Sequence, residues 1–337
     1  MSQVRTQSPG AGRERSRALH AYAVFTVIAT LLLITAGGLV TSTGSGLAVP
    51  DWPLSYGMVF PPMVGGILYE HGHRMIAATI GLLTVVLAIW LARAEPRRAV
   101  RRLGFLALAA VVTQGLLGGL TVLLLLPTAV SMAHACVAQA FFCLLVTIAV
   151  VTSPAWERAG AAATAARGAE TSVSPQLVAM ATATTAAIYG QLILGALTRH
   201  TKAGYAISDF PLANGRLIPD LTPPLVAIQF VHRLGALVVA VLIVALAVRA
   251  WRERQALGGT ARIALLLAVL AALQVALGAA AVMTRLAVLP ATAHVTTGAA
   301  VLGVSLLFTL FCHRRARLAV TSPRAAAPTL LGRTATT

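Results

Sequence analysis

The stretch GLAVPDWPL at residues 46–54 returns later in the chain as GYAISDFPL at residues 204–212. Glycine, aspartate, aromatic, proline and leucine recur at a constant offset of 158. Working outward, Gly37 answers Gly195 at the same offset, and His73–Arg74 answers His232–Arg233 at 159. Gln114, Gly118 and His134 answer Gln274, Gly278 and His294 at 160. Self-similarity at so long a period marks a duplicated architecture, and it sets the frame for every other reading.

What is duplicated follows from composition. The chain has 337 residues, 58% hydrophobic and only 10% charged, with mean hydropathy +0.84. Soluble domains run at about 45–50% apolar and about 25% charged. Nine acids and 26 bases cannot cover a soluble surface of this size. An ordinary soluble enzyme, a disordered chain and a disulfide-stapled secreted domain are thereby excluded. The three cysteines, Cys136, Cys143 and Cys312, lie in apolar stretches with no CxxC spacing.

A membrane helix needs about 20 mostly apolar residues. Eight segments qualify, at roughly 22–40, 70–92, 103–126, 131–152, 176–197, 224–248, 262–284 and 291–312. Short turns containing Pro127 and Pro290 make tight hairpins of the third and fourth spans of each half. Four helices per half return the chain to its starting side, so the repeats are parallel. The expected fold is all-α and polytopic, with eight transmembrane helices in two parallel-repeat four-helix bundles. The divisions are an N-tail (1–21), a first half (22–152), a linker (153–175), a second half (176–312) and a C-tail (313–337). The Ala, Gly, Arg and Ser-rich ends, 1–18 and 318–337, read as disordered.

The charge of +17 has a topological reading. Placing both termini in the cytoplasm puts 20 of the 26 bases inside. The exceptions are Arg74, Arg199, Lys202, Arg216, Arg233 and Arg285. No nucleic acid is needed to explain the basicity; membrane lipid is the expected surroundings.

Eight histidines are present. His20 and His313 flank the outermost spans, His200 falls in an outer loop, and His71 starts the second span. His73, His134, His232 and His294 lie at one depth, near the outer ends of the even-numbered helices. Ionisable groups inside a membrane are costly and mark function. Two repeat-related imidazole pairs, without a thiolate or carboxylate cluster, suit axial ligation of haem better than zinc or non-haem iron. His73 pairs with His134, and His232 with His294, giving one bis-histidine haem site per half. Arg74 and Arg233 follow a histidine directly and match the geometry of haem propionates.

The halves differ at one telling place. Glu70 precedes His73 by three residues; its counterpart before His232 is Gln229. A carboxylate can take a proton or stabilise developing positive charge, and glutamine can do neither. The proline-rich first outer loop (41–68) reads as a rigid lid, and loop 198–223 as the cap of the second site. Gln114 and Gln274 read as interhelical hydrogen-bonding groups. The Gly115–Gly119 spacing reads as close helix packing.

These residues resemble the haem A synthase family of bacterial and mitochondrial type. The resemblance spans about residues 20–315. It rests on TGSGL (43–47), PDWPL (50–54), Glu70-x-x-His73-Arg74, His232–Arg233, His134 and His294. It implies oxidation of the C8 methyl of haem O to a formyl group, giving haem A for cytochrome c oxidase. It also implies a bacterial inner-membrane location. The first half would hold the substrate, haem O, between His73 and His134, with Glu70 as the essential acid. The second half would hold a haem b cofactor between His232 and His294. By pathway logic a haem O synthase is a plausible partner; the electron acceptor is open, and a homo-oligomer is compatible with the sequence. Many family members carry two cysteines flanking the PDWP run; here those positions are Val49 and Ser55, so no mechanism using that pair operates in this chain. Two other classes compete. A di-haem b cytochrome taking electrons from quinol would give Glu70 no special role. A copper- or proton-binding assembly protein would show no haem absorption.

Overall fold

The computed structural model describes residues 9–165 and 173–320, and every regular element among them is helical. In the first half α1 (Pro9–Ser42), α2 (Gly66–Ala94), α3 (Arg98–Leu123) and α4 (Thr128–Val151) run in order. The short α5 (Pro154–Ala165) leads toward the second half. There α6 (Pro175–His200), α7 (Pro224–Arg252), a single-turn α8 (Arg254–Leu257), α9 (Ala261–Met283) and α10 (Val288–Val320) follow. Eight of these stretches are long and apolar enough to cross a membrane. Their threonines fit that environment, because each hydroxyl can donate back along its own helix. Thr26 donates to the Tyr22 carbonyl, Thr30 to Thr26 and Thr84 to Ile80, at 2.8–2.9 Å.

The helices reach further than their apolar cores. The N-terminal stretch read as disordered is helical from Pro9, and α10 continues to Val320. Residues 1–8 and 321–337, also read as disordered, lie outside the described residues, as do 166–172 of the linker. The linker contains α5, whose Trp156 packs on Phe311 with ring centroids 5.8 Å apart. Arg314 lies 5.1 Å over the same indole.

Packing follows one pattern in both halves. Helices α1, α2, α3 and α4 form a closed ring in which α4 returns to α1. Helices α6, α7, α9 and α10 do the same. The rings meet where α4 packs on α10, α1 on α10 and α6 on α4. The α1–α10 contact is thus the repeat counterpart of α6–α4. At the first seam Thr292, early in α10, donates to Ser42 at the end of α1 (3.1 Å). Deeper in that seam Thr35 meets Thr296 at 2.9 Å. At the second seam Tyr189 donates to the Cys136 carbonyl (3.0 Å). The start of α4 meets the end of α6 just as the start of α10 meets the end of α1. Both long loops therefore emerge on one face of the protein.

The hairpin turns are also duplicated. Leu125 and Leu126 adopt φ of 61° and 59°, and Arg285 and Leu286 adopt 55° and 63°. The amides of Leu126 and Leu286 reach back to Thr121 and Ala281 (2.7 Å each), completing Schellman-type caps. Leu126 then lies against Gly46 of the first loop, and Leu286 against Gly204 of the second.

Candidate functional site: two histidine pairs under two lids

Each of the four intramembrane histidines lies against a glycine of a neighbouring helix. A Cβ on Gly37 would come within 3.2 Å of the His73 ring, and one on Gly195 within 3.2 Å of His232. For Gly118 and His134 the figure is 3.4 Å, and for Gly278 and His294 it is 3.0 Å. The four glycines are the repeat positions already visible in sequence. They are notches that let an imidazole edge approach the backbone of the adjacent helix closely. His73 and His134 lie within electrostatic range of each other, as do His232 and His294.

The second pair lines a cavity of about 900 Å³, within the ~300–1,000 Å³ range of small-molecule and cofactor sites. Its wall is mostly apolar and contains no Asp or Glu. It does contain three cations, Arg199, Lys202 and Arg233. An apolar slot with facing imidazoles and a cationic rim matches a planar apolar ring carrying carboxylates. The tautomer of His294 also fits metal ligation. Its Nδ1 lies 3.0 Å from the Gln274 carbonyl and so carries the proton, which makes Nε2 the acceptor nitrogen, here taken by the Gln274 side-chain amide. That Nε2 is 3.3 Å from the Gln274 amide nitrogen. His232 is held by Gln191, also in the cavity wall, whose Nε2 lies 2.9 Å from Nδ1 and donates to the His232 carbonyl (2.8 Å). In the first half Gln114 donates to the His134 carbonyl (2.9 Å), while His134 Nδ1 is buried without a partner. Gln114 and Gln274 thus bridge helices, as read from sequence.

The lids share one construction. Asp51 accepts the amides of Tyr56 (2.7 Å) and Gly57 (2.8 Å). Asp209 accepts those of Asn214 (2.6 Å) and Gly215 (2.8 Å). Each aspartate closes a two-residue turn with positive φ at both central residues, 52° and 70° in the first lid, 54° and 72° in the second. The Asn214–Gly215 dipeptide announces this turn in the sequence; Tyr56 does not, and its hydroxyl is tied to the Ala48 carbonyl (2.6 Å). The amide of Gly57, with that of Tyr56, holds Asp51 below the usual carboxylate range despite the opposing effect of desolvation, and Gly215 and Asn214 do the same for Asp209. A depressed folded pKa gives stability that is present above the unfolded pKa and lost as pH falls through the folded one. The lids are therefore expected to keep their amide-exchange protection from pH 8 to 5 and to lose it in acid below about pH 4. Asp51→Asn should weaken protection of the first lid across that whole range.

Glu70 is 4% exposed and grips its lid. Its Oε2 accepts the Val49 amide (2.8 Å), and its Oε1 pairs with Arg74 at 2.6 Å. Gln229, 3% exposed, accepts the Ile207 amide at the equivalent place and donates to the Gly204 carbonyl (2.9 Å). Glutamine therefore satisfies the same lid clamp, and what distinguishes Glu70 is its charge. Arg74 donates to the carbonyls of Asp51 (2.7 Å) and Leu54 (2.9 Å), and Arg233 to those of Leu212 (2.9 Å) and Ile207 (3.0 Å). Both guanidinium groups face the lid backbone. Trp52 of the first lid lies on α3, where a Cβ on Gly119 would meet its ring at 2.7 Å. Gly119 is thus a seat for the lid; the helix-packing reading of Gly115–Gly119 gives way, since Gly115 has open space beside it.

The two first-loop positions Val49 and Ser55 are both fully buried. Ser55 Oγ lies 2.7 Å from Nδ1 of His71, tying the lid to α2. Their repeat counterparts are Ala213 and Phe230, which pack in a small apolar cluster with Ile207 and Val226. A polar latch in one half thus replaces an apolar one in the other. Ser55→Ala should cost about 1–3 kcal/mol in thermal unfolding by orphaning His71. Adding His71→Phe, which copies the second half, should recover most of that loss.

His200, placed in a loop by the sequence, is the last residue of α6. His20 meets the Ala149 carbonyl at 3.0 Å and His313 meets Thr182 at 2.9 Å, both away from the pairs. Sequence reasoning missed Gln191, Arg199 and Lys202. Their counterparts Leu33, Thr41 and Gly44 are dissimilar, so the repeat that exposed the histidines hid these residues.

Fold and site together define a multi-pass membrane protein with two repeat-related histidine pairs, one of them beside an acid. The chain belongs to the cytochrome oxidase assembly protein family, COX15-CtaA, whose family model matches residues 64–306. It is 36% identical over 237 residues to the heme A synthase of Symbiobacterium thermophilum, covering 68% of this chain and 74% of that protein. The heme A synthase of Halalkalibacterium halodurans is 31% identical over 307 residues, 88% and 96% of the two chains. That of Shouchella clausii is 30% identical over 298 residues, 86% and 93%.

Proposed function

We propose that this chain is a haem A synthase, an oxidoreductase that converts the C8 methyl of haem O into a formyl group. The supporting observation is the acid-for-amide break at the lid clamp of a duplicated site. Two halves with the same notched histidines and the same lid clamp differ in Glu70 against Gln229. The first half (22–152) is read as the substrate half, with haem O between His73 and His134. The second half (176–312) is read as the cofactor half, with haem b between His232 and His294. Bound there, haem b supplies one-electron transfer. The chain's own residues do the rest. Gln274 fixes the His294 tautomer through Nδ1 and would yield Nε2 to a bound iron, and Gln191 fixes the ring of His232. Four of the five N–H groups of Arg74 are taken by the lid and Glu70, so Arg74 serves mainly to hold the lid. Arg233 uses only two and keeps donors for a propionate.

Oxidising a methyl to an aldehyde with oxygen from water (–CH3 + H2O → –CHO + 4 H+ + 4 e−) requires an external electron acceptor for the four electrons, and hydride-level loss from the methyl would build positive charge at the reacting carbon. Glu70 lies one helical turn before the proposed ligand His73, with its carboxylate on Val49 and Arg74, and it supplies the negative charge or takes the proton. The lid is seated on α3 through Trp52 at Gly119 and on α2 through Glu70 and Arg74. We read both termini as cytoplasmic and the lids as facing outward from a bacterial inner membrane, on the support of the 20 of 26 bases that this orientation puts inside. The di-haem quinol cytochrome gives the Glu70–Gln229 difference no role and does not account for relatives named heme A synthase. Haem extracted from protein purified from cells with a haem O source should contain haem b together with haem O or haem A. Haem b alone would support the cytochrome, and no haem at all would reject both.

A further inference from the structure

Arg199 stands apart from the lid arginines. It sits one residue before the end of α6 and lines the cavity of the second histidine pair. Its NH2 group donates to the Gly38 carbonyl and to Ser42 Oγ, both at 2.8 Å, across the seam on α1. Both acceptors are neutral, and no ion pair among the described residues includes it. Around it the cavity presents Lys202 and Arg233, the imidazoles of His200, His232 and His294, and the weak acids Cys136 and Tyr189, with no carboxylate. A guanidinium kept charged in an apolar membrane cavity with only neutral acceptors lacks a counter-ion. Its repeat counterpart is Thr41, so the fold does not require a cation here.

We infer that Arg199 binds a carboxylate of the planar ligand held by His232 and His294, its free N–H groups forming a charge-assisted pair at the seam between the two halves. Lys202 adds a second positive charge at the same mouth, and Arg233 serves the opposite carboxylate from the lid side. The inference rests on reading that ligand as a haem with propionates. Because Arg199 also grips Gly38, next to the Gly37 notch of His73, the carboxylate anchors to a residue shared by both sites.

The test uses purified protein with its native haem, comparing wild type with Arg199→Gln and Arg199→Lys. Arg199→Gln should lower the midpoint potential of the second-half haem, since removing a cation favours the ferric state. It should weaken haem retention about ten- to a hundredfold and shift the propionate bending mode in resonance Raman. Arg199→Lys should fold, retain haem and fall between the two. A lowered potential with unchanged propionate modes in both variants would mean a through-space charge only and overturn the inference. So would potentials, modes and retention equal to wild type. If wild-type protein carries no haem, the cofactor reading itself fails, and the inference with it.

Discussion

Glu70→Gln is expected to cut haem A output by about 10²- to 10⁴-fold while leaving the protein folded and its second-half haem in place. The second half supplies the reason for the clean separation. There Gln229 already accepts the amide of the lid residue equivalent to Val49 and also binds the Gly204 carbonyl. A glutamine at position 70 therefore keeps the lid clamp and forfeits only the charge and the pair with Arg74. The measurement is haem A per unit of purified protein beside the low-spin haem absorption of the same sample. Output within about threefold of wild type would remove the charge from the mechanism. Equal loss of haem and of output would make Glu70 a structural residue.

The second large effect concerns the ligands. His294→Ala is expected to abolish the bis-histidine haem b spectrum, leaving the Gln274 amide and carbonyl without their ring partner. His134→Ala is expected to leave that spectrum in place and to remove bound haem O or haem A. Either substitution should stop product formation, but the haem lost differs between the two. Extraction and mass determination of the haems left on each variant checks this. Loss of the same haem from both variants would contradict the division into a substrate half and a cofactor half.

The sequence carried the architecture further than the details of the site. The repeat showed which glycines and histidines correspond, and the structure joins them into notched pairs. That joining was not legible, because Gly37 and His73, or Gly278 and His294, sit on different helices and their spacing carries no contact information. Counting apolar residues found eight spans but cut them short, since helices continue past the hydrocarbon core, as α1 and α10 do. The Ala-rich α5 escaped for the opposite reason, having helix formers but too little length to read as a span. Arg74 and Arg233 were matched to propionates from their position beside a histidine. The structure shows the other demand on them, the lid carbonyls, which only chain folding brings within reach. Arg199 was visible only as an outer-face base, because its meaning depends on a cavity walled by α6, α7, α9 and α10.

The proposed reaction turns a haem methyl into a formyl group at the Glu70 half. It is tested most directly in membranes of a host that makes haem O but no haem A. With this chain expressed, extracted haem should include a formyl-bearing species identified by mass, and the Glu70→Gln chain at equal abundance should yield almost none. Haem O accumulating unchanged with the wild-type chain present and haem-loaded would contradict the account.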